Sequence, residues 1–393
     1  MAKVKTNTTP RFIVIGNPEN RRIALFQTTL QRSGLPAATV VSYLDLLTGH
    51  QSLENVIQVG DIIRIESPGE NFAVEQQFIA LGTTDLATEG KYISAKQAVE
   101  LDYEHGCIYY PRQWYQGFSA FLRKMQTTFE HLWQANIHFT VMNAPLNILT
   151  MFDKRRCHQL CQDNNILVPP SLCCAIDSYD KLREVMIHTG QRRVFVKLAY
   201  SSSATGIVAY EIDSQGIREQ AYTSVELVYR QKQPIFYNSI KIKRYRNHTD
   251  IKTIIDWLCR EGVHVEQWLP KAHYQGYVYD LRIVIIAGQA RHRVVRLSKT
   301  PLTNLHLGNA RLNASELQLT NKLWQRIETI AVRSATLFSK SLYAGLDIIL
   351  PLRSQTPMIL EINAFGDLLP GIYDNGMDTY QAEVVALFGT FQK

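Results

Sequence analysis

Residues 343–371 read YAGLDIILPLRSQTPMILEINAFGDLLPG. Two short apolar runs, Leu346–Leu350 and Met358–Ile362, each carry one acid, Asp347 and Glu361, and Asn363 lies just beyond the second. Side chains alternate along a strand, so Glu361 and Asn363 share a face. If the runs pair across the turn from Pro351 to Pro357, Asp347 joins them. Three hard oxygen donors converging on one point suit magnesium, particularly where nucleotide phosphates complete the shell. The plainer reading is two edge-strand acids facing water. An acid inside Ile-Leu-Glu-Ile, however, is costly to bury without a partner.

At 393 residues the chain is too long for one core and suits two or three domains. Hydrophobic residues make up 46% and charged residues 20%, an ordinary globular balance. No apolar run approaches the roughly 18 residues of a membrane span. The start, MAKVKTNTTPRF, lacks the apolar stretch of a secretory signal, so a cytoplasmic location without membrane partners is expected. The six cysteines form no CxxC pair. Cys157 and Cys161 lie one helical turn apart beside His158, and zinc completed by Cys173 or Cys174 is the alternative to reduced, buried thiols. The spacing favours the thiols. A net charge of +7 calls for an anionic partner: nucleic acid, a nucleotide phosphate or a carboxylate substrate.

Upstream, Arg11–Gly16, Val40–Leu44 and Asp61–Glu66 read as strands alternating with helical patterns at Arg21–Gly34 and Phe72–Gly82. That rhythm predicts a small parallel α/β layer, without the GxGxxG of a dinucleotide site. Gln113–Ala135 is helical and aromatic-rich, a pattern that favours packing over ligand binding. A strand at Phe139–Met142 and a helix opened by Asp153 follow. Arg193–Leu198 carries Lys197 and runs through Ala199-Tyr-Ser-Ser-Ser-Ala-Thr-Gly206 into a second strand, Ile207–Glu211. Such a hairpin tip offers N–H groups and hydroxyls to phosphate oxygens, although it is not a P-loop. Further strands are expected at Ser224–Tyr229, Ile235–Lys243, Val263–Leu269, Asp280–Ile286 and Gln289–Val295, and helices at Thr249–Arg260 and Ser315–Ser341.

Taken in order, the pieces are Asn143-x-Pro145, Asp153-Lys154, Lys197 with its serine hairpin, Glu266-Gln267-Trp268-Leu269, Asp280-x-Arg282, Asn304-Leu-His-Leu-Gly308, Asp347 and Glu361-x-Asn363. This ordered set resembles the ATP-grasp superfamily over roughly residues 140 to 375. Within it, Arg296-x-x-Lys299 and Asn304-Leu-His-x-Gly308 look like the amino-acid ligases that add glutamate to ribosomal protein or build glutathione-like bonds. The tail departs from that branch: Ala364, Phe365 and Asp367 follow Asn363 where a small residue and proline are usual.

The resemblance implies a fold that is α/β and α+β. An N-terminal Rossmann-like, pre-ATP-grasp α/β domain (1–145) precedes ATP-grasp subdomains at 146–265, with the phosphate loop, and 266–393, with the metal site. It also implies ATP bound near Glu266, Gln267, Trp268 and Leu269, with Lys154 and Lys197 on phosphates and Ser201, Ser202, Ser203 and Gly206 over them. Asp347, Glu361 and Asn363 would hold magnesium, two ions with manganese able to substitute, and Arg282 and Arg296 would stabilise the transferring phosphoryl group. Arg282 paired structurally with Asp280 is the competing reading.

The implied activity is an ADP-forming carboxylate–amine ligase working through an acylphosphate. Its partners would be a carboxylate and an amine, each a small molecule or peptide, with homo-oligomerisation open. Two alternatives remain: a phosphotransferase, and a non-catalytic nucleotide- or RNA-binding module using Lys241–Arg246 (KIKRYR). Against RNA, no recognised nucleic-acid motif is present.

Overall fold

The computed structural model describes residues 10–84, 92–172, 175–201, 204–366 and 369–388. Its first layer is a parallel sheet of β1 (Phe12–Gly16), β2 (Thr39–Ser42), β3 (Ile62–Ile65) and β4 (Thr140–Val141), in the order β2-β1-β3-β4. The residues of β1 and β3 are buried throughout, as in strands covered on both faces, and Arg64 within β3 is paired with Glu66 and Glu383. The expected strand Val40–Leu44 stops early, because the Ser42 hydroxyl accepts from Leu44 N at 3.1 Å and opens a helix, Tyr43–Thr48. The long helix Pro111–Gln134 lays its aromatics against helix Phe72–Leu81, with the Phe78 and Phe118 rings 5.4 Å apart.

The second layer is antiparallel: β5 (Arg193–Leu198), β6 (Ile207–Ile212), β7 (Glu219–Arg230), β8 (Gln233–Tyr245) and β9 (Val263–Gln267), in the order β8-β7-β6-β5-β9. Helices Tyr179–His188 and His248–Glu261 pack into it around Tyr179, Leu182, Ile254 and Leu258, giving this layer its own core. The first of these helices and helix Pro145–Phe152 escape the pattern reading. Both carry start signals, an N-capping Ser178 and a first-turn Pro145.

The third layer holds β10 (His273–Tyr274), β11 (Tyr277–Ile286), β12 (Gln289–Ser298), β13 (Ala310–Asn313), β14 (Tyr343–Ile349) and β15 (Met358–Asn363). Its order is β13-β12-β11-β14-β15, with β10 beside β11. The two acid-bearing runs therefore do pair, antiparallel. The expected continuous helix Ser315–Ser341 is shorter. Asn313 and Glu316 cap each other around a single turn, Ala314–Glu316, and Thr320 caps a new helix, Asn321–Thr336.

One core runs from the first layer into the third, joining Ile13, Ile63 and Phe118 with Ile283, Leu346 and Ile362. Asn143, fully buried, stitches them together. It donates to Tyr343 O at 3.2 Å and Ala364 O at 2.6 Å, and accepts from Leu342 N at 3.1 Å.

Helices Phe72–Leu81 and Pro111–Gln134 approach so closely that a Cβ on Gly117 would collide with Phe78 O, and one on Gly82 with Gln113 O. Neither obstacle is a flexible side-chain end, so the helices themselves would have to separate. Gly117→Ala is expected to cost about 1–3 kcal/mol in urea denaturation. Lys124→Ala, on the exposed face of the same helix, should stay within about 0.5 kcal/mol.

Candidate functional site

The third sheet aligns a row of charges. Arg282 on β11 is the cross-strand partner of Asp347 on β14, which faces Glu361 on β15. Asp280, on the same face as Arg282 by strand alternation, is the partner of Arg296 on β12. Arg282 grips the Asp347 carboxylate through Nε and through Nη2, the latter at 3.2 Å. Arg296 divides itself, with Nε 2.7 Å from Asp280 Oδ1 and Nη2 3.0 Å from Asp347 Oδ2. The Arg282–Asp280 pairing considered from sequence is thus replaced: side chains two apart on a strand run parallel, and each finds its partner on a neighbouring strand. Lys271 completes the Asp280 shell at 3.1 Å and donates to Thr303 Oγ1 at 2.6 Å.

Lys197 and Glu266, from β5 and β9 of the second sheet, form a direct ion pair, with His264 Nε2 3.2 Å from the other Glu266 oxygen. Lys154 opens helix Lys154–Asp163, whose first N–H groups are capped by Asp153. Its Nζ donates to Ser201 O at 2.5 Å and lies 3.2 Å from Glu361 Oε1. One lysine therefore joins the serine hairpin to β15. Between the sheets, Lys154, Lys197 and Glu361 line one cavity with Met151, Val168 and Ile359.

The remaining expected residues sort as follows. Gly206 has φ +66° and an added Cβ would strike Leu198, so the hairpin requires glycine there. Ser202 and Ser203 lie outside the described residues. The N–H groups of Gln267 and Trp268 are committed to Pro170 O at 2.8 Å and Arg193 O at 3.1 Å. Leu269 directly follows them, before Pro270. Of the zinc alternative, His158 is turned to Pro169 O at 2.8 Å, and Cys173 and Cys174 lie outside the described residues. In the departing tail, Arg22 from the first layer donates to Phe365 O at 2.8 Å and Arg311 to Pro370 O at 2.7 Å.

Burial alone would raise the carboxyls of Glu266, Glu361 and Asp280, and the neighbouring cations reverse that. Glu266, 1% exposed, is held at about 2 by Lys197 and the His264 hydrogen bond. Glu361 is held below the usual carboxylate range by Lys154, Lys197 and Arg282, and Asp280 by Arg296 and Lys271. Lys271 is itself lowered, because desolvation outweighs its pairing with Asp280. Lysines 154, 197 and 271 and arginines 282 and 296 thus face Glu266, Asp280, Asp347 and Glu361, an arrangement that admits anions. Lys271, Thr303 and His264 were not singled out from sequence. His264 is placed by the strand alternation that sets it beside Glu266, and Lys271 and Thr303 by loops that fold back onto Asp280.

The donor set also fits a hard divalent cation. Asn363 stands opposite Gly345, one alternation from the Asp347–Glu361 pair, and donates its amide to Gly345 O at 3.2 Å, which leaves Oδ1 to accept. Both Asp347 oxygens hold guanidinium groups, so Asp347 would share its charge between a cation and the arginines.

Lys197→Met should leave Glu266 buried without its counter-charge and cost about 3–5 kcal/mol at pH 7. In the parent, the stabilisation from Glu266 is present above about 4.5 and fades only as pH falls toward 2. In the variant burial is no longer opposed by Lys197 and the carboxyl protonates at higher pH. The deficit in denaturant melts should therefore narrow between pH 7 and pH 5.

No protein-family model matches the sequence, and no curated protein matches it. Solved structures do match the fold across nearly the whole chain. D-cycloserine synthetase DcsG aligns with TM-score 0.54 at 11% identity, covering 96% of this chain and 98% of its own. The macrocyclase MdnC bound with precursor peptide MdnA, from Microcystis aeruginosa MRC, aligns with TM-score 0.53 at 12% identity, covering 97% and 100%. The ATP-grasp ligase PsnB complexed with a minimal precursor aligns with TM-score 0.53 at 13% identity, covering 97% and 99%. With a parallel layer followed by two antiparallel sheets that enclose the charged cavity, the chain has the ATP-grasp fold.

Proposed function

We propose that the protein is an ATP-dependent, ADP-forming ligase that joins a carboxylate to an amine through an acylphosphate. The observation that carries this reading is the convergence of Lys154 and Lys197 toward Glu361, beside the Arg282–Asp347–Arg296 cluster. The cations are neutralised by the site's own acids. Polyphosphate would take over that role. Lys154 and Lys197 would contact phosphate oxygens, with Ser201 and Gly206 at the hairpin beside them. Glu361, Asn363 and Asp347 would hold magnesium, which when bound neutralises charge on the β- and γ-phosphates.

A substrate carboxylate is already a nucleophile, so the first step needs orientation and charge neutralisation more than a base. The carboxylate oxygen attacks the γ-phosphorus, the bond to ADP breaks, and ADP leaves with the electron pair. Arg282 and Arg296 would stabilise the transferring group. An amine then attacks the acyl carbon, phosphate departs, and the amide remains after loss of a proton. The Arg22–Phe365 and Arg311–Pro370 contacts put the tail after Asn363 between the first layer and β13, a reasonable border for the acceptor. That the fold is shared with DcsG, PsnB and MdnC agrees with either a small-molecule or a peptide acceptor.

Incubation with ATP, magnesium and a metabolite extract should release ADP and phosphate and yield an amide detectable by mass spectrometry. A phosphorylated acceptor without an amide would instead make the protein a phosphotransferase. Glu361→Gln should lower turnover by about 10²-fold or more while its thermal melt stays close to the parent. Full activity in that variant would remove Glu361 from the site.

A further inference from the structure

Tyr200 lies between Ala199 and Ser201, at the root of the serine hairpin. Its ring stacks on Tyr115 of helix Pro111–Gln134, with centroids 3.9 Å apart and planes 8° from parallel. Arg155, the neighbour of Lys154, sets its guanidinium 4.9 Å from the Tyr200 ring centre and donates to the Tyr200 hydroxyl. Gly262 passes close beside the ring, since a Cβ built there would lie 3.6 Å from it. The backbone around Tyr200 is tied on both sides. Ala199 N donates to Gly262 O at 3.0 Å, and Lys154 N donates to Ala199 O at 3.0 Å. Lys154 Nζ then reaches past Tyr200 to Ser201 O.

We infer that Tyr200 is a positioning residue: clamped between Tyr115 and Arg155, its ring sets the placement of Lys154 and Ser201 for the nucleotide phosphates. Three separate parts of the chain meet on this ring: the first layer's long helix, the Lys154 helix and the β5 hairpin. Offset or parallel aromatic pairs contribute beyond their buried area, and a guanidinium against a ring adds to that. The clamp therefore fixes one end of a segment whose other end must hold phosphate oxygens. A small side chain at Tyr200 would leave the Lys154–Ala199 and Lys154–Ser201 bonds without lateral support. Phenylalanine would keep the stack and lose only the hydroxyl contact with Arg155. This inference rests on the ligase reading for what the lysine binds, but the clamp itself is independent of that reading.

The test compares Tyr200→Ala and Tyr200→Phe in two measurements. In the nucleotide-free protein, amide hydrogen exchange at Lys154 and Ala199 should quicken about tenfold in Tyr200→Ala and stay near parental in Tyr200→Phe, with Val14 of β1 unchanged in both. Calorimetry with a non-hydrolysable ATP analogue and magnesium should show about tenfold weaker binding for the alanine variant and less than twofold for phenylalanine. Tyr115→Leu, which keeps apolar bulk but removes the stack, should behave like the alanine variant and serves if that variant does not fold. Parental exchange at Lys154 and Ala199 in folded Tyr200→Ala or Tyr115→Leu overturns the clamp, as does a phenylalanine variant as impaired as the alanine one. If the parent itself fails to bind the nucleotide, the ligase reading falls, and the exchange data alone decide the clamp.

Discussion

The row of charges beside the cavity is constrained by the need to neutralise ions buried in the third sheet. Asp280, Asp347, Arg282 and Arg296 are all less than 10% exposed, and stranding one ion of such a pair in the interior costs several kcal/mol. Cross-strand pairing solves this: each guanidinium meets a carboxylate on the adjacent strand, and Arg296 serves two. Displacing any of β11, β12 or β14 by one residue would turn its charged side chains to the other face of the sheet. The electrostatics thus hold the register, and the register holds the site.

The same requirement shapes the second sheet with fewer parts. Glu266 has Lys197 on one oxygen and His264 on the other, so its charge persists under any ordinary condition. Lys154 is the exception in the network, for it pairs with a partly exposed acid and a hairpin carbonyl rather than with a buried carboxylate. A cation held by weaker partners is the one most readily handed to an incoming phosphate.

The architecture was largely readable from the chain. Period-2 alternation put Glu361 and Asn363 on one face and a bounded turn allowed the two acid-bearing runs to pair; the register that sets Asp347 opposite Glu361 came from the structure. What could not be read was which distant strand would supply the other partner. The Arg282–Asp347 pair depends on a register between strands 65 residues apart, and the Asp280–Arg296 pair on a hairpin register interrupted by an irregularity near Ile283–Ile285. Local spacing carries no information about that. The overextended helix Ser315–Ser341 failed for a different reason, because apolar periodicity continued through a stretch where Asn313, Glu316 and Thr320 redirect backbone hydrogen bonds. Lys271 gave no signal in advance, being a lone lysine beside a proline.

Asn143 gives the molecule a division of mechanical labour. Its amide grips the backbone at both Tyr343 and Ala364, and the first and third layers share one continuous core. These two layers make up a single chassis, on which Glu361 and Asn363 are mounted. The second layer, with a core of its own, is the separate arm. The Tyr115–Tyr200 stack is one of several places where arm and chassis touch, alongside the Ile108 N to Phe236 O hydrogen bond and the Arg230–Glu104 ion pair.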